Sequence, residues 1–144
     1  MQILPLAPII KDIIMEHTNI ANYLPKLALA PVAIAADGAV TSIVIDTLGF
    51  DSATLELIAG VVTTGDFSLT SIAESLVVGM TASTAIPATH YGSLISVDTT
   101  NDLVRTWFLP SKRFVQITFT GANTSVLLVT ANVLLGDAYI QSTE

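Results

Sequence analysis

The sequence predicts an all-β protein, an antiparallel β-sandwich that carries an N-terminal arm with one short helix. Three observations predict it. From residue 26 onward, apolar runs of strand length are separated by turn signals at the roughly 8–12-residue spacing of sandwiches and barrels. No helical pattern lies between those runs, which argues against a parallel α/β sheet. The chain has 144 residues, enough for one domain with a proper core.

Residues 1–24 differ from the rest and are expected to form the arm. MQILPLAP is apolar and broken by proline, so it reads as extended. Ile9, Ile10, Ile13 and Ile14 then share one helical stripe, with Lys11, Asp12 and Glu16 elsewhere. Pro8 suits the first turn of that helix, where its missing N–H would be unpaired anyway. Residues 19–25 connect the arm to a sandwich domain expected over residues 25–137.

Within that domain the first apolar stretch holds Leu27, Leu29, Val32 and Ile34, is broken by Pro31 and ends at Asp37-Gly38, a strong turn dipeptide. Residues 40–47 form the next strand, and Gly49-Phe50-Asp51 interrupts the pattern, with Asp51 expected to cap the turn. Residues 53–62 follow, with Leu55 and Leu57 on one face and Thr54, Glu56 and Ile58 on the other. Thr63-Thr64-Gly65-Asp66 reads as a hairpin turn, and Phe67, Leu69 and Ser71 face inward on the return strand. Residues 76–92, rich in Thr, Ala and Ser, read as loop with short strand pieces. Residues 94–97, 103–109, 113–120 and 125–135 complete about eight or nine strands, with Gly121-Ala122-Asn123 as the last hairpin turn. Residues 138–144 form a C-terminal tail. No internal repeat is visible.

Hydrophobic residues make up 51% of the chain and charged residues 12%, against about 25% charged in an average globular protein. The mean hydropathy is +0.70. A membrane-spanning helix would need roughly 20 consecutive apolar residues. The run at residues 24–36 is interrupted by Lys26, Pro25 and Pro31, and that at 125–136 by Thr130 and Asn132. A membrane barrel would need aromatic girdles, and the chain has five Phe, three Tyr and one Trp. The apolar start lacks the basic leader of a secretory signal. The hydrophobicity is better explained by burial in an assembly. Val126 to Val129 and Asn132 to Leu135 are apolar on both strand faces, so one face fills the core and the other meets a sheet, the arm or a neighbouring subunit.

Net charge is −7. Lys112 and Arg113 are the one close basic pair, too little for phosphate recognition, so no nucleic-acid partner is expected. The absence of cysteine removes disulfides, thiolate metal sites and a Cys nucleophile, and fits production in a cytoplasm. His17 and His90 have no evident ligand partners. No nucleophile elbow, phosphate loop or zinc-helix motif occurs. Asp46, Asp51 and Glu56 lie close in sequence, as a glycosidase pair would, but read better as turn and half-exposed strand residues. The Asp98-Thr99-Thr100-Asn101-Asp102 loop is dense in oxygen ligands yet lacks the glycine and terminal glutamate of an EF-hand. Trp107, Phe108, Phe114 and Phe119 read as core rather than as a stacking strip. The expectation is no enzyme, no cofactor and no metal.

One stretch carries a resemblance. In Ile45-Asp46-Thr47-Leu48-Gly49-Phe50-Asp51-Ser52-Ala53-Thr54 an aspartate ends a strand, a Gly-aromatic pair turns, and Ser-Ala-Thr opens an apolar strand that closes on Ala59-Gly60. Thr64-Gly65-Asp66-Phe67 and Lys112-Arg113-Phe114-Val115 add a turn and a basic-aromatic strand start. Over residues 40–136 this resembles small structural proteins of tailed-bacteriophage virions, in particular capsid decoration, or cement, proteins. The chain departs where Glu74-Ser75 is followed by Leu76-Val77-Val78-Gly79 in place of an acidic turn, so the third hairpin is altered or buried in an interface.

The resemblance implies a jelly-roll-like sandwich that sits as a homotrimer on the capsid surface of the virion and clamps neighbouring copies of the major capsid protein. It implies no membrane and no small-molecule substrate. The apolar arm would bury Ile3, Leu4, Ile9, Ile10, Ile13 and Ile14 against a neighbour. A tail or head–tail connector component is the alternative, and a carbohydrate- or receptor-binding β domain is the more distant one.

Overall fold

The computed structural model describes residues 23–122 and 127–138. They form ten strands: β1 Leu24–Ile34, β2 Gly38–Thr41, β3 Ile45–Asp46, β4 Phe50–Val62, β5 Asp66–Ser75, β6 Thr84–Ala85, β7 Ser96–Val97, β8 Leu103–Phe108, β9 Phe114–Ala122 and β10 Leu127–Ala138. A single 3-10 turn, Ala88–His90, interrupts them. Among the described residues no helix is long and apolar enough to cross a membrane. The predicted arm, its helix and the C-terminal tail after Ala138 lie outside the described residues.

Two antiparallel sheets face each other. The first has the order β1-β10-β4-β8, and the second the order β2-β9-β5-β6, with β3 pairing to β9 and β7 to β5. Six of the nine connections cross from one sheet to the other, while β2–β3, β5–β6 and β6–β7 stay within the second. This four-plus-four order is that of a jelly roll.

The core forms where the inward sides of the two sheets meet. Leu55, Leu57 and Ala59 of β4 and Val129, Ala131, Val133 and Leu135 of β10 line the first sheet. Phe67, Leu69 and Ile72 of β5 and Val115, Ile117 and Phe119 of β9 line the second. Phe67 and Phe119 stack with ring centroids 5.3 Å apart and planes inclined by 20°, an offset arrangement that aromatic pairs prefer. The strict alternation of Leu55 and Leu57 with half-buried Thr54, Glu56 and Ile58 is as the sequence predicts.

Several local expectations are corrected. The Thr63-Thr64-Gly65-Asp66 turn closes no hairpin: β4 belongs to the first sheet and β5 to the second, so the turn is a corner between sheets. Gly65 makes the corner at φ 92°, where a Cβ would clash with the backbone. The expected last hairpin also fails, since β9 and β10 lie in opposite sheets. Residues 40–47 are two short strands, β2 and β3, because at Ser42 the N–H still donates to Ile117 O but the Oγ, in place of the carbonyl, takes the Ile117 N–H. Ser71 points outward: the β5–β9 register shifts between Leu69 and Ser71, a bulge that hands the inward position to Ile72. The turn after β3 is capped by Asp46 rather than Asp51, its Oδ1 accepting from Leu48 N–H at 3.0 Å. Phe50 N–H closes that turn on Thr47 O, with Gly49 at φ 89°.

Candidate interaction surface

The chemistry that the sequence offers is not assembled into a reactive site. Asp46 pairs with Arg113 through two bonds of 3.0 and 2.8 Å at the second sheet, and Glu56 with Arg105 at 2.7 Å on the first. The two carboxylates therefore serve different sheets. The Arg113 guanidinium holds the Asp46 carboxyl below its ordinary value of 3.8, the direct hydrogen bond being the main cause. Both partners are about half exposed, so the pair adds little stability. No group of three or more His, Asp or Glu suited to a metal exists among the described residues. The loop at residues 98–102 is instead pinned to β4, where Asn101 N–H bonds Gly60 O and Asp102 O accepts from Ala59 N–H. His90 keeps a buried Nδ1 without a protein partner; His17 lies outside the described residues.

Glu74 does have a role. Its carboxylate is buried, with 3% exposure. It accepts from Ser111 N–H at 2.8 Å, Ser111 Oγ at 2.7 Å and Lys112 N–H at 3.2 Å. It thereby ties the end of β5 to the Pro110-Ser111-Lys112 turn that leads from β8 to β9. The resemblance marked Glu74 without a reason. A sequence signal existed: Glu74 has the same inward parity as Ile72, and a charge at such a position must be bonded.

Aromatic placement splits. Phe108 and Phe119 are fully buried, as expected. Phe114 is half-buried, with the Arg113 guanidinium 4.9 Å from its ring centre. Trp107 is not core: it is 48% exposed on β8, because it has the outward parity of Arg105, not the inward parity of Thr106. Tyr23 is exposed at the opposite edge of the same sheet, so these two rings do not make a continuous sugar-binding strip.

The two outer faces contrast. That of the second sheet is rich in hydroxyls: Ser68, Thr70, Thr118 and Thr120, with a 2.6 Å bond between the hydroxyls of Thr70 and Thr120. That of the first mixes exposed apolar side chains with Thr54, Thr130, Asn132 and the Glu56–Arg105 pair. Ile58 lies opposite Thr130 on one side and Leu103 on the other; Thr54 lies opposite Leu134 and Trp107. Leu27, Leu103 and Leu128 are exposed there. The Glu56–Arg105 pair is internally neutral. Near one end, Pro31, Ile58, Gly60, Leu128 and Thr130 line a dent of about 250 Å³. Gly60 leaves it open, since a Cβ there would lie 3.3 Å from Leu128 Cδ2. On β10 the inward side fills the core, while the outward side alternates Leu128 and Leu134 with Thr130 and Asn132, so the two-sided apolar character holds at Leu128 and Leu134 alone among the described residues.

A second apolar feature is the loop after β5, which the sequence marked only as a departure. Leu76, Val77 and Val78 are 73%, 52% and 62% exposed. Of the predicted interface residues, Ile3, Leu4, Ile9, Ile10, Ile13 and Ile14 all lie outside the described residues. The chain enters the fold at Tyr23, whose ring rests on Gly136 of β10: a Cβ on Gly136 would meet Tyr23 Cε1 at 3.1 Å.

Comparison with known proteins adds the fold alone. No known protein family and no curated protein matches the chain. Among solved structures it resembles the crystal structure of PBSX exported protein XepA, with a TM-score of 0.56 and 18% identity over 84% of this chain. The chain spans 41% of the length of that protein.

Proposed function

We propose that this chain is a structural protein of a bacteriophage particle, and specifically a capsid decoration protein that binds the outer shell and clamps neighbouring major capsid subunits. The observation that carries the reading is the set of exposed apolar side chains, Leu27, Leu103, Trp107 and Leu128, on the outer face of the β1-β10-β4-β8 sheet. Isolated exposed apolar residues are ordinary, but a contiguous apolar patch marks a docking surface. A jelly roll with one hydroxyl-rich face and one face that exposes three leucines and a tryptophan has a side suited to lie on something. The resemblance of residues 45–60, 64–67 and 112–115 to phage virion proteins supports a capsid shell as that something, and the fold likeness to an exported protein of PBSX supports a phage-related protein and no more. In this reading the protein is a homotrimer on the virion surface, takes no cofactor and catalyses nothing.

The mechanism is mass action: a protein that binds the assembled shell and not its separated subunits stabilises the shell. The apolar residues of segment 1–22 extend the contact onto a neighbour. Particles assembled with a chain lacking residues 1–22 are expected to lose the decoration protein on dilution, at least tenfold more readily than with the full chain. Their heat-disruption temperature is expected to fall to that of undecorated particles. Retention and disruption temperature equal to the full chain would remove the arm from the mechanism.

A further inference from the structure

The outer face of the first sheet divides in two. Toward the β4–β5 corner it exposes Leu103 and Leu128 beside Ile58. Toward the β8–β9 turn, polar side chains and one aromatic ring share adjoining register positions. Glu56 is flanked by Arg105 on β8 and by Asn132 on β10, and at the next outward rung Thr54 lies opposite Trp107.

What marks this second cluster is hydrogen-bonding capacity left unspent. Arg105 Nε donates to Glu56 Oε1 at 2.7 Å. The two Nη groups of Arg105, Glu56 Oε2, the Asn132 amide, the Thr54 hydroxyl and the Trp107 Nε1–H have no hydrogen-bond partner among the described residues. Glu56, Asn132 and Thr54 are half-buried, and polar groups so placed are normally bonded to protein, ligand or water. Trp107 is a set platform. It is 48% exposed, and a Cβ on Gly92 would lie 3.0 Å from its Nε1 and 3.2 Å from its Cδ1. Glycine there lets the indole edge settle on the neighbouring backbone, where Gly92 N–H also donates to Trp107 O at 2.9 Å. A ring fixed in advance loses little rotamer freedom on binding.

We propose that this cluster binds a neutral sugar residue of a glycan, the sugar ring stacking on Trp107 while its hydroxyls bond the Glu56–Arg105 pair and Asn132. An indole offers a large apolar plane for the C–H face of the ring. One hydroxyl donates to Glu56 Oε2 and its neighbour accepts from an Arg105 Nη–H, the alternation that adjacent sugar hydroxyls supply. The Asn132 amide adds a donor and an acceptor beside them. Outward positions on one strand stand about 7 Å apart and neighbouring strands about 4.8 Å apart, so the cluster is of sugar-ring size. The ion pair is internally neutral and gives no advantage to a charged ligand. An apolar protein surface laid on the cluster would strip water from the pair and return no bonds, a cost that hydroxyls avoid. The site goes beyond the shell reading and does not depend on it; a copy with Trp107 against the shell has no room for the sugar.

Trp107 is the only tryptophan of the chain, so its fluorescence reports the site directly. The full chain is titrated with dextran, mannan, galactan and cello-oligosaccharides. At least one should give a saturable change in emission and shield the indole from acrylamide. Glu56→Ala and Asn132→Ala should each weaken that binding at least tenfold with an unchanged circular dichroism spectrum, and Gly92→Ala should weaken it by unseating the ring. Thr118→Ala on the other sheet should leave it as it is. No response to any of these sugars overturns the site. So does binding that survives both Glu56→Ala and Asn132→Ala, which would place the sugar elsewhere. A response to dextran sulfate well above that to dextran also overturns it, and would mark Arg105 as an anion contact. No particle is used, so failure here is distinct from failure of the capsid reading.

Discussion

Replacing Glu74 by alanine is expected to lower the unfolding free energy by about 3 kcal/mol, and the melting temperature by roughly 10 °C. Among the described residues the carboxylate is the sole side chain that holds the Ser111 and Lys112 amides together with the Ser111 hydroxyl. A hydrogen bond to a charged group contributes roughly 1.5–3 kcal/mol, and removal of the acceptor leaves partly buried donors unsatisfied. Three such bonds do not add in full, because water can reach the turn once the carboxylate is gone. Glu74→Gln should fall between wild type and alanine, since one amide oxygen still accepts while the amide NH₂ faces donors. Glu56→Ala is the matched control. Its partner Arg105 is largely exposed, and the loss should stay below about 1 kcal/mol. Urea unfolding of the three variants decides the matter; equal effects of Glu74→Ala and Glu56→Ala would show that the buried carboxylate does not secure the turn.

Truncation of Phe119 to alanine is expected to cost more, about 4 kcal/mol. The ring is fully buried on the inner face of β9 and stacks on Phe67. Its removal deletes the aromatic contact and leaves a cavity that two hydrogen-bonded sheets cannot collapse to fill. For a domain stabilised by some 5–15 kcal/mol, that is a large share. Phe119→Leu should recover more than half of it, and the outward neighbour Thr118→Ala should change stability by no more than about 0.5 kcal/mol. The check is again the denaturant midpoint at constant slope. A loss near 1 kcal/mol for Phe119→Ala would mean that the two sheets do not close over this ring.

The sequence made the strands legible because a half-buried strand imprints period two, and Leu55 and Leu57 keep it. What period two does not contain is the partner. Both β4 and β5 have an inward face, and the three residues between them are as suited to a corner between sheets as to a hairpin. Two apparent hairpins therefore became crossovers, and jelly-roll order followed from the structure. The bulge before Ser71 inverts parity mid-strand, which a count of alternate residues cannot foresee. Trp107 reads as core together with its aromatic neighbours, whereas its parity with Arg105 places it outside. The apolar outer face of the first sheet was legible in β10, where Leu128 and Leu134 have outward parity between core residues. The dent it carries needed Pro31 from β1 and Ile58 from β4, which only tertiary pairing brings beside Leu128. The exposed loop was visible as Leu76-Val77-Val78, but the Ser75 bonds that shape it are not shown by composition.

The most direct test of the decoration reading is the copy number of this protein relative to the major capsid protein in purified particles, by quantitative mass spectrometry. A protein that covers the shell predicts a ratio approaching one to one. A ratio of a few per hundred would contradict it and move the protein to the tail or the head–tail connector, and absence from the particle would remove it from the virion.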